Sequence, residues 1–264
     1  MKEMVIVRGG GDIASGVIQK LYRCGFKVLV LEIENPTCIR RAVSFSEALF
    51  EDEIEVEGIK SVRVRNLEEI EDAWKNNKVP VIVDPKGSYI NLLKPKAVVD
   101  GILAKKNLGT YINMAPITMA LGPGFEAGKD VDVVIETNRG HNLGRLIFNG
   151  EAQADTGSPG NIGGYTKERV IYSPCDGVIN NAKEIGDIVK KEEPLAYVGD
   201  YIVRATIDGV LRGIIRNNSK VYKGLKIADI DPRLEERKNC FTISDKARTI
   251  GGGVLEALIY LIRQ

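Results

Sequence analysis

The sequence predicts an α/β protein: a parallel-sheet domain, then a small all-β module, then a closing helix. Three observations carry that prediction. Apolar runs of strand length alternate with helix-period segments over the first half of the chain. A run of three glycines joins the first strand to the first helix. From about Glu151 onward the texture changes to short β-like pieces rich in Gly and Asp, and these pieces repeat.

The elements follow in order. Met4-Val5-Ile6-Val7 is an apolar run ending at Gly9-Gly10-Gly11, and the helix after it carries Ile13, Val17, Ile18 and Leu21 on one face before stopping near Gly25. A second apolar run, Val28-Leu29-Val30-Leu31, ends at Glu32. Strand, helix and strand in this order form the βαβ unit of a parallel sheet, and continuous apolar runs suit strands buried on both faces. Further strands are predicted at 61–64, 79–83, 97–99, 117–121 and 131–135, with a polar helix over 67–76. A glycine-rich linker at 155–164, including Ser158, closes the first domain.

Beyond the linker, Cys175-Asp176-Gly177-Val178 matches Ile207-Asp208-Gly209-Val210. Without a gap, Val189 then falls on Val221, Leu195 on Ile227 and Val198 on Ile230. Two such halves are expected to close on each other as a barrel-sandwich of the biotinyl/lipoyl-like kind. Carriers of that kind display a modifiable lysine where the halves join. Here the joint reads Val198-Gly199-Asp200-Tyr201-Ile202-Val203-Arg204, so no swinging arm is expected. A charged stretch at 234–239 precedes a final helix signalled by Leu255, Leu258, Ile259 and Ile262, which is expected to pack on the first domain. The expected divisions are 1–165 for the α/β domain, 166–233 for the β module and 234–264 for the C-terminal segment.

Composition narrows the classes. At 264 residues, with 44% hydrophobic and 28% charged residues, the chain can bury a sizeable core without staples. Lys and Arg number 37 against 36 Asp and Glu, which argues against a nucleic-acid partner. No apolar run is long enough to span a membrane, and Met1-Lys2-Glu3-Met4 has no signal-peptide shape, so a cytoplasmic protein is expected. Cys24, Cys38, Cys175 and Cys240 are too dispersed for a zinc or redox motif. His141 is the single histidine, so a catalytic triad or multi-histidine metal site is hard to build. No metal ligand and no catalytic residue is assigned.

Gly9-Gly10-Gly11-Asp12-Ile13-Ala14 fits G-x-G-x-x-A. In a Rossmann-like domain Gly9 would make the tight turn, Gly11 would let a pyrophosphate approach, and Ala14 would let helix and strand pack closely. The helix N-terminus offers N–H groups and a positive dipole end to phosphates. Glu32, at the end of the second strand, stands where an acid bonds ribose hydroxyls and repels a 2′-phosphate. Asp12 is an odd neighbour for phosphates unless it caps the helix. A purely structural turn is the competing reading.

Arg40 and Arg41, followed by Ser44 and Ser46, read equally as an oxyanion site or a solvated face. Gly122-Pro123-Gly124-Phe125 and Glu136-Thr137-Asn138-Arg139-Gly140-His141 each follow a strand and would share the carboxyl edge of the sheet with the glycine turn. Gly122, Gly124, Phe125, Arg139, Gly140 and His141 are therefore candidate ligand residues, though a lone histidine is more often an ordinary loop residue. Asp84, Lys86, Asp100 and Lys105 stand at other strand ends.

Taken together, the segments 8–16, 40–48, 122–128, 136–145, 226–233 and 251–256 resemble the YqeB family of selenium-dependent molybdenum hydroxylase accessory proteins, over nearly the whole chain. That family is related to the XdhC-like xanthine dehydrogenase accessory factors, which bind molybdenum cofactor and help insert it into a hydroxylase. The resemblance implies an accessory factor rather than a stand-alone enzyme, a molybdopterin-type cofactor (a dinucleotide form among the candidates), and a molybdenum hydroxylase apoenzyme as partner, with a homo-oligomer compatible. A molybdopterin dinucleotide has a pyrophosphate and a ribose as NAD does, so Gly9, Gly11, Ala14 and Glu32 suit either. The alternatives are an NAD-dependent oxidoreductase with His141 or Lys105 as acid/base, and a partner-docking scaffold without a small ligand.

Overall fold

The computed structural model describes residues 3–157 and 159–264; Met1, Lys2 and the linker residue Ser158 lie outside them. The chain divides into two compact units, one formed by 1–36, 44–155 and 243–264, the other by 37–43 and 156–242. The segment 37–43 and most of the linker thus group with the β-rich unit, while the last helix groups with the sheet.

The first unit runs β1 (Met4–Arg8), α1 (Asp12–Arg23), β2 (Lys27–Glu32), a helical turn α2 (Ala48–Glu51), the hairpin β3 (Glu53–Val56) and β4 (Ile59–Arg63), α3 (Leu67–Lys75), β5 (Val79–Val83), α4 (Ser88–Leu93), β6 (Ala97–Asp100), β7 (Ile117–Leu121), β8 (Glu126–Ala127), β9 (Val133–Ile135), β10 (Leu146–Ile147) and β11 (Gly150–Glu151). The nine-stranded sheet has the order β10-β9-β7-β6-β1-β2-β5-β4-β3. All neighbours from β9 through β4 pair in parallel, and an antiparallel strand closes each edge. The stretch β9-β7-β6-β1-β2-β5 has the strand order of a Rossmann sheet, with the β3–β4 hairpin added beyond it. Successive strands are added on one side of β1 up to β5 and on its other side from β6 onward, which makes the C-terminal ends of β1 and β6 the topological switch point.

The strands expected from apolar runs form within a residue or two of their predicted bounds. α4 escapes a periodicity search because Ser88–Leu93 gives too little helix to show a repeat. β3 reads Glu-Ile-Glu-Val, whose alternation is weak in so short a run. α1 ends as expected: Cys24 caps it, and Gly25 at φ +87° donates to the Tyr22 carbonyl at 2.9 Å.

The closing helix α5 (Asp245–Ile262) starts earlier than its apolar residues suggest, because the Ser244 hydroxyl accepts from Ala247 N at 3.1 Å. It packs on α1 through glycines. A Cβ on Gly16 would stand 2.3 Å from the Ala247 carbonyl oxygen, and one on Gly251 would stand 2.4 Å from the Gly16 carbonyl oxygen. A Cβ on Gly253 would meet the Gly144 carbonyl oxygen at 2.4 Å, so the helix also rests on the loop after β9.

In the second unit, β12 (Val170–Tyr172), β13 (Gly177–Asn181), β14 (Ile188–Val189), β15 (Pro194–Val198), β16 (Tyr201–Arg204), β17 (Gly209–Ile214), β18 (Lys220–Val221) and β19 (Lys226–Asp231) form two four-stranded sheets, β12-β19-β17-β14 and β16-β15-β13-β18. The first residues of β13, β14 and β15 correspond to those of β17, β18 and β19 at one constant offset. Each half lends its middle strand to the other: β18 pairs with β13, and β14 pairs with β17. Ile179, Leu195, Leu211 and Ile227 lie in the shared core.

These glycine contacts set an opposed pair of outcomes. Gly16→Ala forces backbone apart and is expected to cost about 1–3 kcal/mol or more. Gly252→Ala meets nothing within 4 Å and is expected to stabilise α5 by about 0.5–1 kcal/mol. Thermal melting of the two variants checks both signs.

Candidate functional site

The glycine turn lies at the switch point. Gly9 adopts φ +90°, and a Cβ there would stand 3.0 Å from the Gly101 carbonyl oxygen, just past β6. Its N–H donates to the Leu31 carbonyl at 2.8 Å. The Gly10 N–H donates to Glu32 Oε1 at 2.7 Å. The N–H groups of Gly9 and Gly11 were expected to face an open cleft; that of Gly9 is instead spent on β2, as is that of Gly10. The first turn of α1 follows directly on Gly11, and a helix N-terminus carries the positive end of the helix dipole. Gly11 is the N-cap, half-buried at φ −66°. Asp12 is the first helical residue and not the cap, so its charge stands at the positive end of the helix dipole. Ala14 is buried and lies 3.0 Å from a Cβ built on Gly101, so a small residue is needed where helix and strand approach.

Glu32 is brought to the turn, as its spacing predicts. Its two carboxylate oxygens accept from Gly10 N at 2.7 Å and Ile33 N at 2.8 Å. Burial pushes its pKa up, and the two N–H donors pull it part of the way back. Beside it, Val83 is the register partner of Glu32 on β5 and shares its face of the sheet. Val83 is 38% exposed and Ile33 47%, so both present apolar surface at the strand ends next to the carboxylate. Their sequence signal was only a position: the last residue of one apolar strand and the first residue beyond another.

Arg8, Asp100 and Thr110 form a buried group at the same edge, and only Asp100 of the three was singled out in the sequence. Arg8 Nη1 donates to Thr110 Oγ1 at 2.5 Å and lies 3.7 Å from Asp100 Oδ2; Thr110 Oγ1 donates to Asp100 Oδ2 at 2.6 Å. Arg8 Nη2 reaches the carbonyls of Pro85 at 3.3 Å and Leu108 at 3.5 Å. The arginine thus ties the loops after β5 and β6 to the end of β1. Burial raises the Asp100 pKa, with the bonds from Thr110 and Ile102 and the charge of Arg8 opposing it.

The serines of the segment after β2 also serve this turn. The Gly10 carbonyl accepts from Ser46 N at 3.0 Å and Ser44 Oγ at 2.9 Å, with Ser15 Oγ at 3.3 Å. Arg40 and Arg41 belong to the second unit instead. Arg40 Nη2 donates to the carbonyls of Asn239 at 3.0 Å and Thr242 at 3.1 Å, and it is 5% exposed. Arg41 donates to the Ile214 carbonyl at 2.8 Å and pairs with Glu184 at 3.4 Å. The oxyanion alternative for this pair is replaced by backbone anchoring: both guanidinium groups clamp the second unit.

The remaining candidates spread along the sheet edge. Gly122 at φ +75° leaves 2.3 Å between a would-be Cβ and Thr137 Oγ1. Gly124 at φ +102° packs on the backbone of Lys105 and Lys106. Phe125 is buried with Val131, Val134 and Ala152, which makes it a core residue and corrects its reading as a ligand contact. Arg139 forks onto Asp245 at 2.7 and 3.2 Å, at the start of α5. Gly140 and His141 are exposed. Asp84 is buried and accepts from Tyr89 N at 2.8 Å; Lys86 is exposed, and Lys105 pairs with Asp155 at 2.7 Å.

No family model matches the chain. It is 49% identical over 262 residues to the Escherichia coli (strain K12) protein described as "Uncharacterized protein YqeB". The chain belongs to the YqeB family. The match takes in 99% of this chain and 48% of YqeB, so this YqeB relative spans about half of that protein's length. Solved structures that align with it are the apo ectoine utilization protein EutE (DoeB) of Ruegeria pomeroyi, at 10% identity over 87% of this chain and 86% of that one with a TM-score of 0.26, and an aspartoacylase family protein of Mesorhizobium loti, at 11% over 88% and 86% with a TM-score of 0.28. Likeness at that level carries no argument about this YqeB relative. Among its described residues no helix is long and apolar enough to cross a membrane.

Two outcomes follow from the buried charges. Arg8→Met leaves Asp100 buried without its cation and is expected to cost about 3–5 kcal/mol in urea unfolding. Glu32 gives a pH signature. A carboxyl whose folded pKa is raised binds its proton more tightly when folded, so its contribution is present in acid and is lost as pH rises from about 4.3 towards the raised value. Glu32→Gln should therefore gain stability relative to wild type between pH 4 and 7, and a relative loss over that window would contradict the burial argument.

Proposed function

We propose that this YqeB relative is a cofactor-binding accessory protein whose first unit holds a dinucleotide-type ligand at the C-terminal ends of β1, β2, β5 and β6. One observation carries the reading: a glycine turn opens α1 at the switch point of a Rossmann-ordered sheet, with the Glu32 carboxylate fixed on that turn. A pyrophosphate would approach the first turn of α1 past the bare backbone of Gly10 and Gly11, with the Asp12 carboxylate opposing its charge. Ribose hydroxyls fit the remaining lone pairs of Glu32, and a 2′-phosphate is disfavoured by its charge. A planar ring fits the apolar surface of Ile33 and Val83.

Among ligands of that shape, the resemblance to selenium-dependent molybdenum hydroxylase accessory proteins, and through them to the XdhC-like factors, favours a molybdopterin-type cofactor, with NAD as the alternative. The cofactor would supply redox chemistry to a molybdenum hydroxylase in the cytoplasm. The residues of this chain bind and orient it, and none is assigned a chemical step. We also read the second unit as a barrel-sandwich of the biotinyl/lipoyl-like kind without a carrier arm. That reading is supported by the exchanged middle strands and by a β15–β16 joint that lacks lysine.

Mass spectrometry of small molecules released from protein made in a molybdopterin-competent host tests the proposal. A molybdopterin species that is retained by wild type and depleted in Glu32→Arg supports it. Stabilisation by NAD with no retained molybdopterin would favour an oxidoreductase, and no ligand response at all would favour a scaffold.

A further inference from the structure

The exposed face of α5 carries apolar surface with no structural duty inside the first unit. An open groove of about 610 Å³ is lined by Gly252, Leu255, Glu256, Ile259, Tyr260 and Arg263, with Gln264 at its end. These positions recur at three- and four-residue intervals and so form one stripe along the helix. Ile259 is 37% exposed and Tyr260 52% exposed; Phe148, against the Tyr260 ring at 5.4 Å, widens the patch. Core-facing residues such as Val254, Ala257 and Leu258 occupy the opposite side, so the stripe is surplus to the packing of the helix on its own unit.

The charges on this stripe are arranged about its apolar centre. Glu256 lies on one side of the Ile259–Tyr260 pair and Arg263 at the equivalent distance on the other. Both are exposed, and among the described residues neither side chain has a partner in an ion pair or hydrogen bond. In an antiparallel crossing of two copies of this helix, with the two-fold axis between Ile259 and Tyr260, residues equidistant from the axis face each other. Ile259 then meets Tyr260 of the second copy, and Glu256 meets Arg263 of the second copy, twice by symmetry. A groove for an unrelated segment requires no relation between positions 256 and 263. Opposite charges placed symmetrically about an apolar centre make the stripe complementary to a second copy of itself, as an isologous interface must be. The stripe also has the anatomy of an interface, with an aromatic and aliphatic middle and a charged rim.

We propose that this face of α5 is the two-fold interface of a homodimer, held by Ile259 and Tyr260 and registered by reciprocal Glu256–Arg263 pairs. Sedimentation equilibrium of the full chain tests it. Wild type is expected to dimerise reversibly, and Ile259→Asp to be monomeric with an unchanged melting profile at low concentration, since the residue is exposed. Glu256→Arg sets like charges opposite each other at both pairs and should weaken the dimer about tenfold. Arg263→Glu should do the same. The combined Glu256→Arg/Arg263→Glu variant restores opposite charges across the axis and should recover wild-type association. A wild-type chain that stays monomeric, or a double variant as weak as either single one, overturns the proposal, and the latter result would assign the face to a different partner.

Discussion

The peptide of Gly10 is the joint on which the first unit is assembled. Its N–H is held by Glu32 from the end of β2, and its carbonyl by Ser46 N and Ser44 Oγ from the segment after β2. A side chain cannot be added without displacing this arrangement, because a Cβ would meet Val30 at 3.0 Å and Ser46 N at 3.1 Å. A single residue thus fixes the turn into α1, the orientation of the carboxylate and the path of the following chain. The candidate ligand surface is what this joint leaves open: the first turn of α1, the outer lone pairs of Glu32 and the apolar ends of β2 and β5.

The same constraint explains why so many polar residues at this edge are buried. Parallel strands end together, and their last backbone groups and side chains are shielded by the loops that cross them. Arg8 answers this by reaching two carbonyls and the Thr110–Asp100 pair at once. An isolated charge there would be prohibitively costly to bury; a charge with several acceptors is tolerated and becomes hard to remove. On the far side of α1, glycines let α5 come close enough for backbone to touch backbone, which leaves the other face of α5 free for contact with something else.

Much of the fold was legible because its signals are local. An apolar run buried on both faces needs no partner to be recognised, and β1, β2, β5, β6 and β7 were found that way. The glycine turn and Glu32 were legible because strand, turn, helix and acid occur in a fixed order. The repeat in the second unit was legible because its two halves keep one register. Thr110 carried no signal: a threonine in a long loop acquires a role only when the loop folds back on Arg8. Arg40 and Arg41 misled for a related reason. Paired arginines suit an oxyanion equally well as they suit backbone carbonyls, and only the chain path through the second unit decides which they meet.

The sequence by itself determined the alternation of strands and helices, the turn that opens α1, the acid at the end of β2 and the internal duplication. Each depends on residues near one another in the chain or on a repeat within it. Tertiary structure alone decided that the Gly9 and Gly10 N–H groups are spent on β2, that Phe125 belongs to the core, that the Arg139 fork closes on Asp245, and that the halves of the second unit exchange their middle strands. These outcomes depend on distances between residues far apart in the chain, and periodicity and spacing hold no record of such distances.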